Sequence, residues 1–462
     1  MRLSIQEYLE SMQGKRVAVI GIGVSNRPLI ELLLKHGINV TACDKNERAS
    51  FEGAIEELEK LGAQVRLGSS YLDDLTGFDV IFRTPGMRPD VPALEQAREA
   101  GAEITSEMEV FFDVCPANLI AVTGSDGKTT TTSIIAGLLK AAGYRTFVGG
   151  NIGRPLLSDV PEMTEDDMAV LELSSFQLMT MKSSPHVAVV TNLAPNHLDV
   201  HTSMDEYVDS KRNIYLHQDS DDRVILNWDN EIAHSFETNA NGLVTFFARQ
   251  TKLETGVYLN DDNVICCEGR SVLPVKDILL PGVHNIENYM AAIAAVNGLV
   301  DDEVIRNFAK TFGGVEHRIE LVRELNGVRY YNDSIASSPT RTIAGLRSFK
   351  EKVILIAGGY DKNIPYNELG PEITKHVKLL TLTGNTALKI KNATLAAADY
   401  EPGKPEIVEA DSFRDAVLAA HRAARPGDVV ILSPASASFD QFKNFAHRGE
   451  TFKNIVRELK GE

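Results

Sequence analysis

The sequence predicts an α/β protein of three successive domains: a Rossmann-like domain over 1–106, a central domain with a parallel sheet and a phosphate-binding loop over 107–314, and a second Rossmann-like domain over 315–462. Three observations carry this. Short apolar runs recur along the chain, and each leads into a turn of glycine, serine or another small residue and then a helical stretch; that alternation builds βαβ units and parallel sheets. One of these turns, Gly124 to Thr130, has the composition of an anion cradle. The length, 462 residues, suits two to four domains, and 43% hydrophobic with 24% charged residues is the composition of an ordinary soluble chain.

Composition also excludes classes of function. The net charge of −17 argues against a general nucleic-acid partner and against an anionic membrane surface. No apolar run is long enough to span a bilayer. The N-terminal stretch Met1 to Glu10 has no long apolar core, so it is not expected to be a secretory signal. Cys43, Cys115, Cys266 and Cys267 are too few and too irregular for a disulfide framework or a zinc cluster, and the adjacent pair reads as strand. The expectation is a monomer in a reducing cytoplasm.

In the first domain, Lys15 to Gly23 is a buried strand with a tight glycine turn. A helix follows from about Pro28 to His36, then a strand Ile38 to Cys43 ending at Asp44. This is close to a dinucleotide fingerprint, but Asn26 stands where the third glycine belongs. A helix over Phe51 to Leu61, a strand Asp79 to Phe82 and the turn Arg83-Thr84-Pro85-Gly86 continue the alternation. The glycine turn suits a pyrophosphate ligand, or simply a parallel α/β domain.

The central domain turns on Leu119 to Gly137. Leu119–Val122 is a short strand, Thr123 to Gly127 the turn, and Thr129 onward a helix ending near Gly143. Gly124, Ser125, Asp126 and Gly127 would present backbone N–H groups to phosphate oxygens. Lys128 adds charge, Thr129 a hydroxyl for Mg²⁺, and the helix N-terminus a partial positive charge. The usual spacing wants a glycine where Val122 stands. The leading strand and the run of threonines, poor helix formers, favour a phosphate loop over a plain turn.

Beyond it, Glu172 ends an apolar strand from Met168, where a carboxylate needs a partner and so points to function. Val187 to Asn192 leads to His197 and Asp199, and strand ends are where α/β sheets bind ligands. By pattern alone His197 is a loop histidine and Lys211 a solvated helix lysine. Asn285 and Asn288 share a face near a helix start, either to read a purine edge or to cap. In the last domain, strands Val353 to Ala357, Leu379 to Leu382 and Val429 to Leu432 run into Gly358-Gly359-Tyr360-Asp361-Lys362 and Ser433 to Asp440.

Seven motifs then fall in a familiar order. They are Thr-Gly-Ser-Asp-Gly-Lys-Thr-Thr, Gly-Gly-Asn-Ile-Gly, Glu-Leu-Ser-Ser-Phe-Gln-Leu, Asn-His-Leu-Asp, His-Asn-Ile-Glu-Asn, His-Arg and Asn-Asp-Ser. Over essentially its whole length the chain resembles the Mur ligases, whose shortened phosphate loop also accommodates Val122. Its ending, Ser433 to Gly449, is similar to the branch that adds D-glutamate to UDP-N-acetylmuramoyl-L-alanine. The resemblance implies a UDP-binding first domain, a central P-loop ATPase domain, and a C-terminal domain that brings the amino acid.

The implied chemistry is phosphorylation of a carboxylate by ATP, attack of an amine on the acyl phosphate, and closure of the last domain to exclude water. Lys128, His197 and Lys211 would be catalytic. Gly124 to Thr130, Asn285, Asn288, His317, Arg318 and Asp333 would hold ATP. Thr129 and Glu172 would hold one Mg²⁺, His197 and a carbamylated Lys211 a second. Val24, Ser25, Asp44, Gly86 and Asn151 would take the UDP substrate; Lys362, Ser337, Ser438, Phe439 and Phe445 the D-glutamate. Two positions depart from the family: Ile335 replaces a lysine after Asn-Asp-Ser, and Phe439 a leucine.

Siblings compete. A folate ligase should lack the Rossmann-like first hundred residues, and a diaminopimelate-adding enzyme should show Asp-Asn-Pro-Arg, which is absent. A nicotinamide-dependent dehydrogenase would leave Gly124 to Thr130 unexplained, and a protein that binds ATP without chemistry has only Ile335 to suggest it.

Overall fold

The computed structural model describes residues 3–23, 26–51, 53–194, 201–280, 282–361 and 364–460. The chain forms two compact units, one of residues 1–277 with 284–310 and one of residues 278–283 with 311–462.

The first unit contains two sheets. The smaller is made of β1 (Arg16–Ile20), β2 (Asn39–Asp44), β3 (Gln64–Leu67), β4 (Val80–Phe82) and β5 (Glu103–Thr105), all parallel, in the order β3-β2-β1-β4-β5. Val17 to Ile20 are buried on both faces, as covered parallel strands must be. Gly21 turns the chain with φ +92. Asn26, in the third-glycine position, is buried and donates to the Ile20 carbonyl at 2.9 Å, so it closes the turn with its side chain. The expected helix over Phe51 to Leu61 starts later, at Ala54. Gly53 precedes it in the left-handed conformation, and residues Arg48–Phe51 form a separate 3₁₀ turn.

The larger sheet runs β14-β13-β12-β11-β10-β9-β6-β8-β7. Its strands are β6 (Asn118–Thr123), β7 (Thr146–Gly150), β8 (Met168–Glu172), β9 (Val187–Val190), β10 (Arg223–Asn227), β11 (Leu243–Ala248), β12 (Val257–Leu259), β13 (Val264–Cys267) and β14 (Arg270–Pro274). Pairing is parallel from β7 to β12 and antiparallel from β12 to β14. The antiparallel edge was not foreseen; Cys266 and Cys267 sit in it as strand residues. The expected strand to Asn192 stops at Val190, because Thr191 and Asn192 turn to hold the phosphate loop. One apolar core spans both sheets and takes in Ile30 and Leu33 of helix Arg27–Lys35 with Leu157 and Val160 of the 3₁₀ helix Leu157–Glu162.

The second unit holds a six-stranded sheet of β15 (Glu320–Leu325), β16 (Val328–Asn332), β17 (Val353–Ala357), β18 (Val377–Leu382), β19 (Glu406–Glu409) and β20 (Val429–Leu432), ordered β15-β16-β20-β17-β18-β19. Only β15 runs antiparallel among these described strands. Apolar clusters cover both faces.

Candidate active site

The carboxyl ends of β6, β8 and β9 converge, and the phosphate loop sits there. Gly124 has φ +148, and a Cβ on it would collide with Thr191 Oγ1; at Gly127, φ +78, a Cβ would meet Asn288 Oδ1. Only glycine fits either position. Ser125 N–H donates to the Asn192 carbonyl (2.8 Å) and Asp126 N–H to Asn192 Oδ1 (3.0 Å). Thr191 Oγ1 donates to the Asp126 carbonyl at 2.6 Å, and Ser125 Oγ to the Ala194 carbonyl at 2.9 Å. The loop is therefore held open from the β9 side. The first turn of the helix Lys128–Ala141 follows directly, where amides lack intrahelical acceptors. Thr129 and Thr130 open that turn half-buried, while Thr131 and Thr132 are buried.

Lys128 Nζ donates to the Gly124 and Ser125 carbonyls, 2.9 Å each. Lys211 is not a solvated helix lysine. Its side chain is 1% exposed, and Nζ donates to Thr123 Oγ1 (3.1 Å) and the Gly124 carbonyl (3.0 Å), over the Tyr207 ring. Burial first, then the Lys128 charge, holds its amine well below the ordinary lysine range; Glu172 pulls the other way.

Glu172 pairs in register with Val122 of β6 and Gly150 of β7 and is 2% exposed. Oε1 accepts from Asn151 Nδ2 at 2.7 Å, whereas Oε2 is buried with no hydrogen-bond partner. Asn285 and Asn288 are both buried. Asn288 donates to Asn285 Oδ1 (2.9 Å) and accepts from Thr131 Oγ1 (3.2 Å), so the pair buttresses the loop.

A cavity of about 180 Å³ opens beside Gly150, Asn151 and Arg154, and Asn26 and Pro85, from loops of the first sheet, line it too. Glu107, not foreseen in the sequence, also lines it. Its carboxylate accepts from Leu157 N–H at 3.1 Å, and burial lifts it to about 7. Asp44 is buried with both oxygens engaged, one by Ile22 N–H (2.8 Å) and one by Asn46 N–H (2.9 Å). It thus secures the glycine turn to β2. Gly86 lies on the loop after β4 with open space where a Cβ would be. Val24, Ser25, His197 and Lys362 lie outside the described residues, as does Asp199.

In the second unit, Asp333 is fully buried at the end of β16. Ser433 Oγ donates to it at 2.7 Å and Ile319 N–H at 3.3 Å, and burial pushes its carboxyl up to about 7. His317 is buried at φ +63; its Nδ1 meets Asn332 Nδ2 at 2.9 Å, and burial lowers its basicity. Arg318 is exposed beside it. The Tyr360 and Ala437 backbones bridge, which joins the glycine turn after β17 to the serine loop after β20. Ser438 is buried there, and Phe439 is 61% exposed with its ring edge-to-face on Tyr360. Phe445 stands edge-to-face to His317, and Ser337 is half-buried at the turn before helix Pro339–Leu346.

Arg448, within a quoted motif but assigned no role, organises this surface. It is buried and donates to Ser334 Oγ and its carbonyl and to the Ser436 and Ala437 carbonyls, all at 2.9–3.0 Å. Arg341 donates to the Ile335 carbonyl at 3.2 Å, and its charge acts on Asp333, so a cation reaches the Ile335 turn from the next helix.

This is a nucleotide-loop site in an α/β sheet, and the family follows from comparison. Residues 15–106 match the MurD-like N-terminal domain of Mur ligases, 122–296 the Mur ligase middle domain, and 317–436 the glutamate ligase domain of Mur ligases. The chain belongs to the Mur ligase family.

Within it, the chain is 54% identical to the UDP-N-acetylmuramoylalanine–D-glutamate ligase of Acetivibrio thermocellus, over 99% of this chain and 100% of that protein. It is 52% identical to the protein of the same name from Ruminiclostridium cellulolyticum over 100% of both. Among solved structures it shares the fold of the UDP-N-acetylmuramate–alanine ligase of Thermotoga maritima. That likeness has TM-score 0.58 at 18% identity and covers 96% of this chain and 100% of that one.

Proposed function

We propose that the protein is an ATP-dependent ligase that joins D-glutamate to UDP-N-acetylmuramoyl-L-alanine, releasing ADP and phosphate, in peptidoglycan precursor synthesis. The observation that carries this is the grouping of Lys128, Lys211 and the partnerless Glu172 Oε2 around one phosphate loop. Full-length similarity to D-glutamate ligases supports the choice of substrates.

A carboxylate does not condense with an amine in water, because hydroxide leaves poorly. ATP transfers its terminal phosphoryl group to the carboxylate and makes an acyl phosphate; the amine attacks, the C–N bond forms, and phosphate departs with the C–O electrons and the proton that the nitrogen gives up. Lys128 and the first turn of its helix offset negative charge gathered between donor and acceptor. Asn285 and Asn288 hold the loop in shape. The Gly150–Asn151 turn and the cavity beside it take the acceptor end of the UDP substrate, whose uridine diphosphate lies against Val24, Ser25, Asp44 and Gly86. Since both Asp44 oxygens are engaged by backbone amides, its role is to hold that turn.

The donor set fits Mg²⁺. Glu172 Oε2 needs a partner and Thr129 offers a hydroxyl for one ion, and His197 and Lys211 would serve a second; Mg²⁺ would supply positive charge to the phosphates. Lys211 would serve as a carbamate. Its buried amine favours the neutral form, whose lone pair adds to CO₂ with release of a proton. His317, Arg318 and Asp333 complete the nucleotide contacts, and Lys362, Ser337, Ser438, Phe439 and Phe445 receive D-glutamate. The same reading makes the enzyme a cytoplasmic monomer with domains at 1–106, 107–314 and 315–462; among the described residues no helix is long and apolar enough to cross a membrane.

The test is phosphate release with ATP, Mg²⁺ and UDP-N-acetylmuramoyl-L-alanine, with D-glutamate varied against other amino acids. Turnover confined to D-glutamate is expected. Absence of ATP cleavage with both substrates present would overturn the reading.

A further inference from the structure

The Pro85–Gly86 turn is flanked by two arginines that both leave the first sheet's domain and grip the central one. Arg83 follows β4 directly, and its own N–H is anchored to the Thr105 carbonyl at 2.8 Å. Nη1 donates to the Pro85 (3.4 Å) and Met87 (3.0 Å) carbonyls, on its own turn. Nη2 donates to the Phe176 carbonyl (3.2 Å) and Thr180 Oγ1 (2.7 Å), on the segment that follows Glu172. One planar group therefore holds both loops, which a lysine point charge cannot reproduce. The side chain is 1% exposed, and none of these acceptors is a carboxylate. Burial depresses its basicity, with Glu109 the opposing charge. An ion kept at that desolvation cost is poor value for packing alone.

The second tether is Arg88. It forms a bidentate pair with Glu206, at 3.0 and 2.8 Å, and also pairs with Asp90. Glu206 accepts the Thr202 N–H at 2.7 Å and lies 3.4 Å from His201 Nδ1. The other His201 nitrogen meets Ser175 Oγ at 2.9 Å, and its ring stacks on Phe176. Glu206 belongs to helix Met204–Arg212, which delivers Lys211 to the phosphate loop. The turn at Gly86 is thus bonded both to the segment after Glu172 and to the helix of Lys211.

We propose that Arg83 and Arg88 are positioning residues that couple the uridine-nucleotide end of the first domain to the ATP site of the central one, so that each ligand raises the affinity of the other. This rests on the substrate reading given above. Linkage requires the effect to be reciprocal, and couplings of this kind run from about 5-fold to about 150-fold.

The test uses the full-length protein and calorimetric titration with UDP-N-acetylmuramoyl-L-alanine, with and without Mg²⁺ and a non-hydrolysable ATP analogue. Wild type should bind the acceptor about tenfold more tightly with the analogue present. Arg83→Met and Arg88→Ala should each cut that ratio to about twofold or less, with affinity for the analogue alone unchanged. Arg83→Lys should recover part of it. In steady state the acceptor KM should rise by a larger factor than kcat falls. A wild-type ratio near one, or an unchanged ratio in Arg88→Ala, overturns the proposal. If Arg83→Met does not fold, Arg88→Ala and Glu206→Gln, on the partly exposed tether, decide the question. Failure of wild-type turnover with the ratio intact sinks the reaction and leaves the coupling. Turnover with an unchanged ratio in the variants does the reverse.

Discussion

Replacing Glu172 by glutamine separates what the site costs from what it does. In the protein without ligands, Glu172 Oε2 is buried without a partner, and such a group costs about 1–3 kcal/mol. Its other oxygen takes a charge-assisted bond from Asn151 Nδ2 at 2.7 Å, a bond of about 1.5–3 kcal/mol that an amide oxygen would keep at reduced strength. The amide that replaces Oε2 is equally unpartnered but carries no buried charge, and that relief opposes the weakened Asn151 bond and nearly cancels it. Glu172→Gln should therefore shift stability by no more than about 1 kcal/mol, or about 2–4 °C in Tm. Turnover should fall by a factor on the order of 100–1,000, because the carboxylate that would hold Mg²⁺ against the nucleotide's phosphates is gone. Thermal unfolding without ligands and phosphate release at saturating ATP measure the two halves. Near-wild-type turnover would remove Glu172 from the nucleotide site. A loss of more than about 10 °C in Tm would show the carboxylate to be a structural support instead.

Other outcomes follow from the same geometry. Lys211→Ala should lose activity and regain part of it with added short-chain carboxylates, which supply the missing anion; a variant as active as wild type makes Lys211 an ordinary buried amine. Gly124→Ala should destabilise by about 3 kcal/mol, from backbone strain at φ +148 and displacement of the Thr191 hydroxyl from Asp126; denaturant titration showing under about 1 kcal/mol refutes the close approach. Asp333, lifted by burial to about 7 from an ordinary 3.8, keeps a proton when folded that the unfolded chain releases. Its contribution to stability is present below pH 3.8 and lost as pH rises to about 7. Asp333→Asn should flatten the fall in Tm between about pH 4 and 7, and matching slopes for variant and wild type contradict the burial argument.

The phosphate loop, the strand–turn–helix order and the three parallel-type sheets were all legible in the sequence. They depend on local pattern: an apolar run short enough for a strand, glycines at positive φ, and helical spacing afterwards. Glu172 could be singled out because a carboxylate at the end of an apolar strand has no local explanation. Lys211 could not. Its helix looks amphipathic and solvated, and only the tertiary placement of that helix turns the amine inward onto Thr123 and Gly124. The antiparallel edge β12–β14 escaped notice because its short strands alternate weakly and gain their burial from neighbours.

Arg83, Glu107, Glu206 and Arg448 were invisible for a common reason. Each is a charged residue whose partners lie far away in sequence, such as Phe176, Leu157, Arg88 and Ser334. Sequence by itself determined which backbone shapes were available and where an anion could be cradled, since those are set within one turn of chain. The tertiary structure alone decided which charges are buried and what they hold, because desolvation and long-range hydrogen bonding exist only after distant segments meet.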